Sequence, residues 1–211
     1  MTAISLREKQ SRLPPRCGIA HLETERQEGR SVFSLIVGGA ASGKSAFAEA
    51  MALGLAGRRT YVATMMPWDD ECKARIARHR ARRADYGFAT LECYRDLTAL
   101  EVPRDANVLL DCLGNLLSNE MYGLGVGPTA TRPQAADAVI AGVRHLNAHC
   151  RNLTVVTNEV CLAGTDYEGD TLPYLQALGR INRTLAIDAD FACEVVAGLP
   201  NVLKGVRPCA C

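Results

Sequence analysis

Residues 32–57 read VFSLIVGGAASGKSAFAEAMALGLAG. The opening VFSLIV is apolar apart from Ser34, the run expected of a strand buried on both faces. The closing SAFAEAMALGLAG is rich in Ala, Met and Leu and ends at a glycine, which predicts a helix. Between them stand Gly38, Gly39, Ala40, Ala41, Ser42, Gly43, Lys44 and Ser45. They match the Walker A pattern: a glycine, four free positions, then glycine, lysine and serine. Glycine-rich backbone curls its N–H groups around phosphate oxygens, and the following helix turns its positive end toward them. Lys44 is placed to reach the outer phosphates and Ser45 to ligate Mg²⁺. Strand, turn and helix in this order predict a nucleotide-binding site.

Four further short apolar runs follow: TYVAT at 60–64, NVLLD at 107–111, LTVVT at 153–157 and FACEVVAG at 191–198. Helical segments alternate with them. The clearest is 133–150, where Ala136, Val139, Ile140, Val143 and Leu146 repeat at helical spacing behind Pro133. Alternating strands and helices predict an α/β fold with a mainly parallel sheet flanked by helices. Residues 1–30, rich in Arg, Glu, Gln, Ser and Pro without a period, are expected to form a flexible N-terminal extension. Residues 31–211 are then expected to form the P-loop nucleotide-binding catalytic domain.

The chain has 211 residues, 48% hydrophobic, 22% charged, with a formal net charge of +1. Near neutrality argues against nucleic acid or an anionic membrane as partner. No apolar run reaches the roughly 18–20 residues of a membrane span, and MTAISLREKQ has no apolar signal centre. A cytoplasmic protein is expected. Its nine cysteines contain no C-x-x-C pair and read as small buried hydrophobes in a reducing compartment. The terminal Cys209-Ala210-Cys211 offers half a metal site, and His145 and His149 lie on the polar side of their helix.

A phosphate-binding turn needs an acid at the end of another buried strand, and Asp111 after NVLL is the natural Mg²⁺ or water partner, with Glu159 the competitor. TNEV at 157–160 lacks the Lys and Asp of the guanine-reading N-K-x-D, which argues against a Ras-like GTPase. The remaining concentration of charge is DDECKARIARHRARR at 69–83, with five arginines and one histidine in its last nine positions. On a helix capped by Asp69 or Asp70, acids sit at the positive end and arginines at the negative end. Arg75, His79 and Arg82 or Arg83 share one face, and Ile76 can anchor it. Neighbouring guanidinium groups disfavour imidazolium, holding His79 toward its neutral, nucleophilic form, and they suit a polyphosphate. Such an imidazole could attack an α-phosphorus to form a phosphoramidate.

Several segments recur together: LIVGGAASGKSAFAE (35–49), YVAT (61–64) followed by the basic stretch, LEC (91–93), LLDCLGNLLSN (109–119), TNEV, and GRINRTLAIDADFACEVVAGLPNVLK (179–204). Across residues 32–204 the chain resembles the bifunctional adenosylcobinamide kinase / adenosylcobinamide-phosphate guanylyltransferases of cobalamin biosynthesis. The resemblance implies a RecA-like α/β fold assembled as a homo-oligomer, a trimer. It also implies two reactions, phosphorylation of adenosylcobinamide and transfer of GMP from GTP through a guanylylated histidine. The substrates are a corrinoid with ATP and GTP, and the cofactor is Mg²⁺. The nucleophile falls on His79, with Lys44 and Asp111 as further catalytic groups. Nucleotide contacts fall on Gly38 to Ser45, Thr64, Arg80, Arg83, Glu92 and Asp111, and the metal on Ser45 and Asp111.

After Asn158-Glu159-Val160 the family continues with G-x-G-I-V-P and an Arg-containing helix, whereas this chain has CLAGTDYEGDTLPYLQAL at 161–178. A loop at a strand's carboxyl end is where open α/β sheets hold substrates. Two other classes therefore stay open: a nucleotide-binding regulatory or assembly protein of this family without corrinoid kinase activity, and a P-loop small-molecule kinase with another acceptor.

Overall fold

The computed structural model describes residues 31–123, 132–160 and 171–208. The extension over 1–30, the departing segment up to residue 170 and the terminal Cys-Ala-Cys lie outside the described residues. Seven strands form one sheet: β1 (Val32–Gly38), β2 (Arg59–Ala63), β3 (Phe88–Glu92), β4 (Asn107–Asp111), β5 (Asn152–Asn158), β6 (Phe191–Val196) and β7 (Leu199–Lys204). Their order is β3-β2-β4-β5-β1-β6-β7, and every neighbouring pair is parallel except β6 with β7. The helices are α1 (Lys44–Leu53), α2 (Asp70–Arg83), α3 (Leu113–Tyr122), α4 (Arg132–His149) and α5 (Thr171–Asp188).

Period-2 alternation along β1 divides the core between two faces. Leu35 belongs to a cluster with Leu116 of α3, Val139 of α4 and Ile181 of α5. Its neighbour Ile36 belongs to a second cluster with Ala48 and Met51 of α1. Both residues are 0% exposed, which is why β1 reads as a continuous apolar run. In α4, the five residues singled out by their spacing are all buried. The fold is thus the expected RecA-like α/β arrangement, with β5 between the strand ending in the glycine turn and the strand ending in Asp111. Parallel register aligns Gly38 with Asn158 and Ala63 with Asp111, so these strand ends meet on one edge of the sheet, where such folds hold ligands.

The structure departs from the sequence expectation at both sheet edges. FACEVVAG stops being a strand at Val196, because Ala197 (φ 50°) and Gly198 (φ 80°) both adopt the left-handed conformation of a two-residue hairpin turn. β7 follows with every residue exposed, and β3 is also largely exposed, so neither carries the buried pattern that marks a strand.

Burial, followed by the Asp111 charge, pushes the Cys112 thiol from 9.0 to about 11. Burial alone pushes Cys150 to about 12. The unfolded chain loses these protons near pH 9 while the folded chain keeps them, so stability falls as pH rises above about 9, by at most about 1.4 kcal/mol per pH unit per thiol. Urea midpoints at pH 8, 9 and 10 should decline, and the decline should be shallower in Cys150→Ala.

Candidate active site

The glycine turn is fastened from several sides. A Cβ on Gly38 would lie 2.6 Å from Ser42 Oγ and 2.7 Å from the Val195 carbonyl oxygen, so only glycine fits. Gly43 precedes α1 with φ 91°, again a glycine conformation. The Gly198 N–H in the β6–β7 hairpin donates to the Ser42 carbonyl at 2.8 Å, and the Glu159 N–H donates to the Gly38 carbonyl at 3.0 Å. Lys44 Nζ donates to the Gly39 carbonyl at 3.0 Å, which draws the ammonium back over the turn.

Helix α2 begins as its charge order predicts. Asp69 caps it, accepting from the Cys72 N–H at 2.7 Å, and that bond holds the Asp69 carboxyl below its usual range. Arg75, His79 and Arg83, at successive four-residue steps, open with Lys44, Ser45 and Asp111 on one cavity. A second opening is lined by residues 41–46 of the turn together with Arg75 and His79. The imidazole and the glycine turn therefore face a common space. Ile76 lines it too, half-buried.

Arg83 is the innermost cation, 5% exposed. Its Nη1 lies 3.6 Å from Glu49 Oε1 on α1, itself 3% exposed, and its guanidinium sits 3.4 Å from the centroid of the Tyr61 ring. Arg83 Nε and Nη1 have no hydrogen-bond acceptor among the described residues, so a charged donor pair is buried beside the cavity. Asp111 accepts from the Tyr61 hydroxyl at 3.0 Å. Burial, and then the Asp111 charge, push the Tyr61 phenol far above its ordinary range, so it remains a donor. The Ser45 hydroxyl and Asp111 carboxylate are hard oxygen donors on the same cavity, a set that suits Mg²⁺.

Arg80 lines the same cavity, and the other expected residues are placed around it. Arg80 and Glu92 form an ion pair with each other, and Tyr94 donates to Glu92 Oε2 at 2.6 Å. Arg80, Arg83 and Glu92 also line a neighbouring cavity. Thr64 is 0% exposed and its hydroxyl donates to the Cys112 carbonyl at 2.8 Å while accepting the Cys112 N–H at 2.9 Å. Its hydroxyl thus fixes the backbone after Asp111. Gly38, Gly39 and Ala40 shape the base of the turn rather than line the described cavities. Glu159 contributes its backbone to the turn, and Asn158 lines the cavity beside it.

Sequence reasoning passed over Tyr61, Glu49, Asn115 and Asn158. Tyr61 and Asn158 had a readable signal, since both lie in strands whose carboxyl ends meet the turn. Glu49 had another, an acid in an otherwise apolar helix.

The sequence profile of the family described as cobinamide kinase / cobinamide phosphate guanyltransferase matches residues 34–203. The chain belongs to this family. The bifunctional adenosylcobalamin biosynthesis protein CobU of Salmonella typhimurium strain LT2 is 33% identical over 183 residues, 81% of this chain and 98% of that protein. CobU of Escherichia coli strain K12 is 34% identical over 181 residues, again 81% and 98%. CobP of Pseudomonas aeruginosa is 32% identical over 179 residues, 81% of this chain and 96% of the relative. Among solved structures, a DnaB-like replicative helicase aligns at a TM-score of 0.46 and 11% identity, covering 81% of this chain and 55% of that one, too low to bear on function. In this member of the cobinamide kinase / guanyltransferase family, the paired Glu49 and Arg83 tie α1 to the basic helix α2.

Removing one partner of a buried ion pair costs about 3–5 kcal/mol, whereas replacing both by apolar groups restores much of it. Glu49→Ala should therefore lower the unfolding free energy by about that amount in urea titrations. Glu49→Ala with Arg83→Met should recover stability while leaving GTP affinity reduced.

Proposed function

We propose that this protein phosphorylates the aminopropanol hydroxyl of adenosylcobinamide and then transfers GMP from GTP to the resulting phosphate through a guanylylated His79. The observation that carries the reading is the shared cavity of His79 and the glycine turn. The buried Arg83 donors support it, since a triphosphate supplies the acceptors they need.

In the first reaction the substrate hydroxyl oxygen attacks the terminal phosphorus of ATP or GTP, the bond to the nucleoside diphosphate breaks, and the hydroxyl proton leaves to water. Lys44 and the turn's N–H groups hold the phosphates, and Lys44 offsets the charge that develops on the leaving oxygen. In the second, a neutral His79 ring nitrogen attacks the α-phosphorus of GTP. An N–P bond forms and pyrophosphate leaves. The acceptor phosphate oxygen then attacks the same phosphorus, the N–P bond breaks, and the imidazole is regenerated. Arg75 and Arg83 flank His79 along α2 and are placed to neutralise the phosphates during both displacements. Arg80, which lines this space, and its ion-pair partner Glu92 are the further nucleotide contacts we propose. Ser45 and Asp111 would hold Mg²⁺, which would supply charge neutralisation of the bound phosphates.

Incubation with Mg²⁺ and GTP labelled at the α-phosphate should leave acid-labile, alkali-stable label on the wild type and none on His79→Ala, while His145→Ala and His149→Ala retain it. Addition of cobinamide should then yield its phosphate. Label without cobinamide phosphate favours loss of the kinase half-reaction, as the departing segment after Val160 motivates. No label in the wild type contradicts the reading.

A homo-oligomer, specifically a trimer, and a cytoplasmic location belong to the same proposal. Support for the oligomer comes from the β6–β7 hairpin, where Val196, Leu199, Val202 and Leu203 are each more than half exposed. The five described cysteines are all free, in keeping with a reducing compartment, and no helix among the described residues is long and apolar enough to cross a membrane. Light scattering should give a multiple of 22.7 kDa for the wild type, falling to that mass in Leu199→Lys with Leu203→Lys.

A further inference from the structure

We propose that Tyr61 is a positioning residue for Asp111, setting the carboxylate that meets the metal-bound phosphates and linking it to the guanidinium of α2. The inference rests on the nucleotide reading of the cavity. Tyr61 pairs in register with Leu109 on β4, and Asp111 lies two residues further along the same face. That diagonal relation is what allows the phenol to span to the carboxylate, where its hydroxyl donates to Oδ2 at 3.0 Å.

Every side of the Tyr61 ring is constrained. It is 4% exposed, Phe88 of β3 meets it edge-on at 6.5 Å and 84°, and the Arg83 guanidinium covers its face. A ring so packed has one rotamer, and its hydroxyl therefore points one way. With Oδ2 accepting that proton, the carboxylate of Asp111 is oriented before any phosphate arrives, as partners behind a metal ligand orient it elsewhere. Arg83 lies over the ring electrostatically as well as sterically, because a cation on the face draws density from the phenol and strengthens its hydroxyl as a donor. Glu49 anchors Arg83 in turn. A contiguous chain therefore runs from α1, through Glu49, Arg83 and Tyr61, to Asp111. One end belongs to the phosphate cradle helix, the middle to the helix that carries His79, and the other end to the acid of the cradle.

The test is a titration of the purified full chain with a fluorescent GTP analogue, first in EDTA and then in saturating Mg²⁺, for wild type, Tyr61→Phe, Asp111→Asn and the double variant. Tyr61→Phe keeps the ring and its contact with Arg83 and deletes only the hydroxyl. It should leave metal-free affinity within about twofold of wild type and reduce the gain in affinity on adding Mg²⁺ by about tenfold, the size of one hydrogen bond to a charged group. Because the effect acts through Asp111, Tyr61→Phe should add nothing to Asp111→Asn. A further readout is Mn²⁺ binding followed by its paramagnetic resonance signal in the nucleotide complex, which should weaken in Tyr61→Phe by the same factor. Equal losses with and without metal would show a merely structural role and overturn the proposal, as would no change in either titration or additive effects in the double variant. A wild type that binds no GTP analogue overturns both the proposal and the nucleotide reading beneath it.

Discussion

A guanidinium that is almost wholly buried needs a counter-charge and a surface to lie on, and the structure supplies both to Arg83 in Glu49 and the Tyr61 ring. These two contacts decide where α2 sits. Without them, a helix whose other residues are mostly polar has little apolar area with which to hold itself against the sheet. With them, its Arg75–His79–Arg83 face is turned toward the glycine turn. The same Arg83 is then both an anchor of the helix and a donor available to phosphate, two uses that offset the cost of burying it.

The sheet provides the other half of the arrangement. Parallel register brings Gly38, Ala63, Asp111 and Asn158 to a single edge. The hairpin tip at Gly198 and the backbone of Glu159 close on the turn from either side. The site is thus assembled from rigid strand ends and one docked helix, so that the proposed nucleophile His79 and Lys44 of the glycine turn, 35 residues apart, share one space. For transfer chemistry that placement matters more than any single contact, since it replaces an encounter of two groups by a fixed approach.

Much of this was legible in the chain because its signals are local. The strand, turn and helix around Lys44, the cap at Asp69, the four-residue spacing of Arg75, His79 and Arg83, and the buried face of α4 each depend on neighbours in sequence. What escaped depends on neighbours in space. β3 and β7 are edge strands with exposed side chains, and their order comes from hydrogen bonds to β2 and β6 rather than from an apolar pattern. Glu49 and Tyr61 acquire their roles only when α2 lays Arg83 between them. Thr64, named as a nucleotide contact by resemblance, has its hydroxyl taken by the Cys112 backbone, a partner 48 residues away that no spacing rule reveals.

The central claim is that the His79 ring can meet the α-phosphorus of a triphosphate held by the glycine turn. A crystal structure of the protein with Mg²⁺ and a GTP analogue carrying a methylene bridge between its α- and β-phosphorus atoms measures this directly. The account predicts an imidazole nitrogen about 3–3.5 Å from the α-phosphorus, in line with the bridging group. An imidazole beyond reach of that phosphorus in the bound complex, or one directed at the terminal phosphate instead, would contradict it.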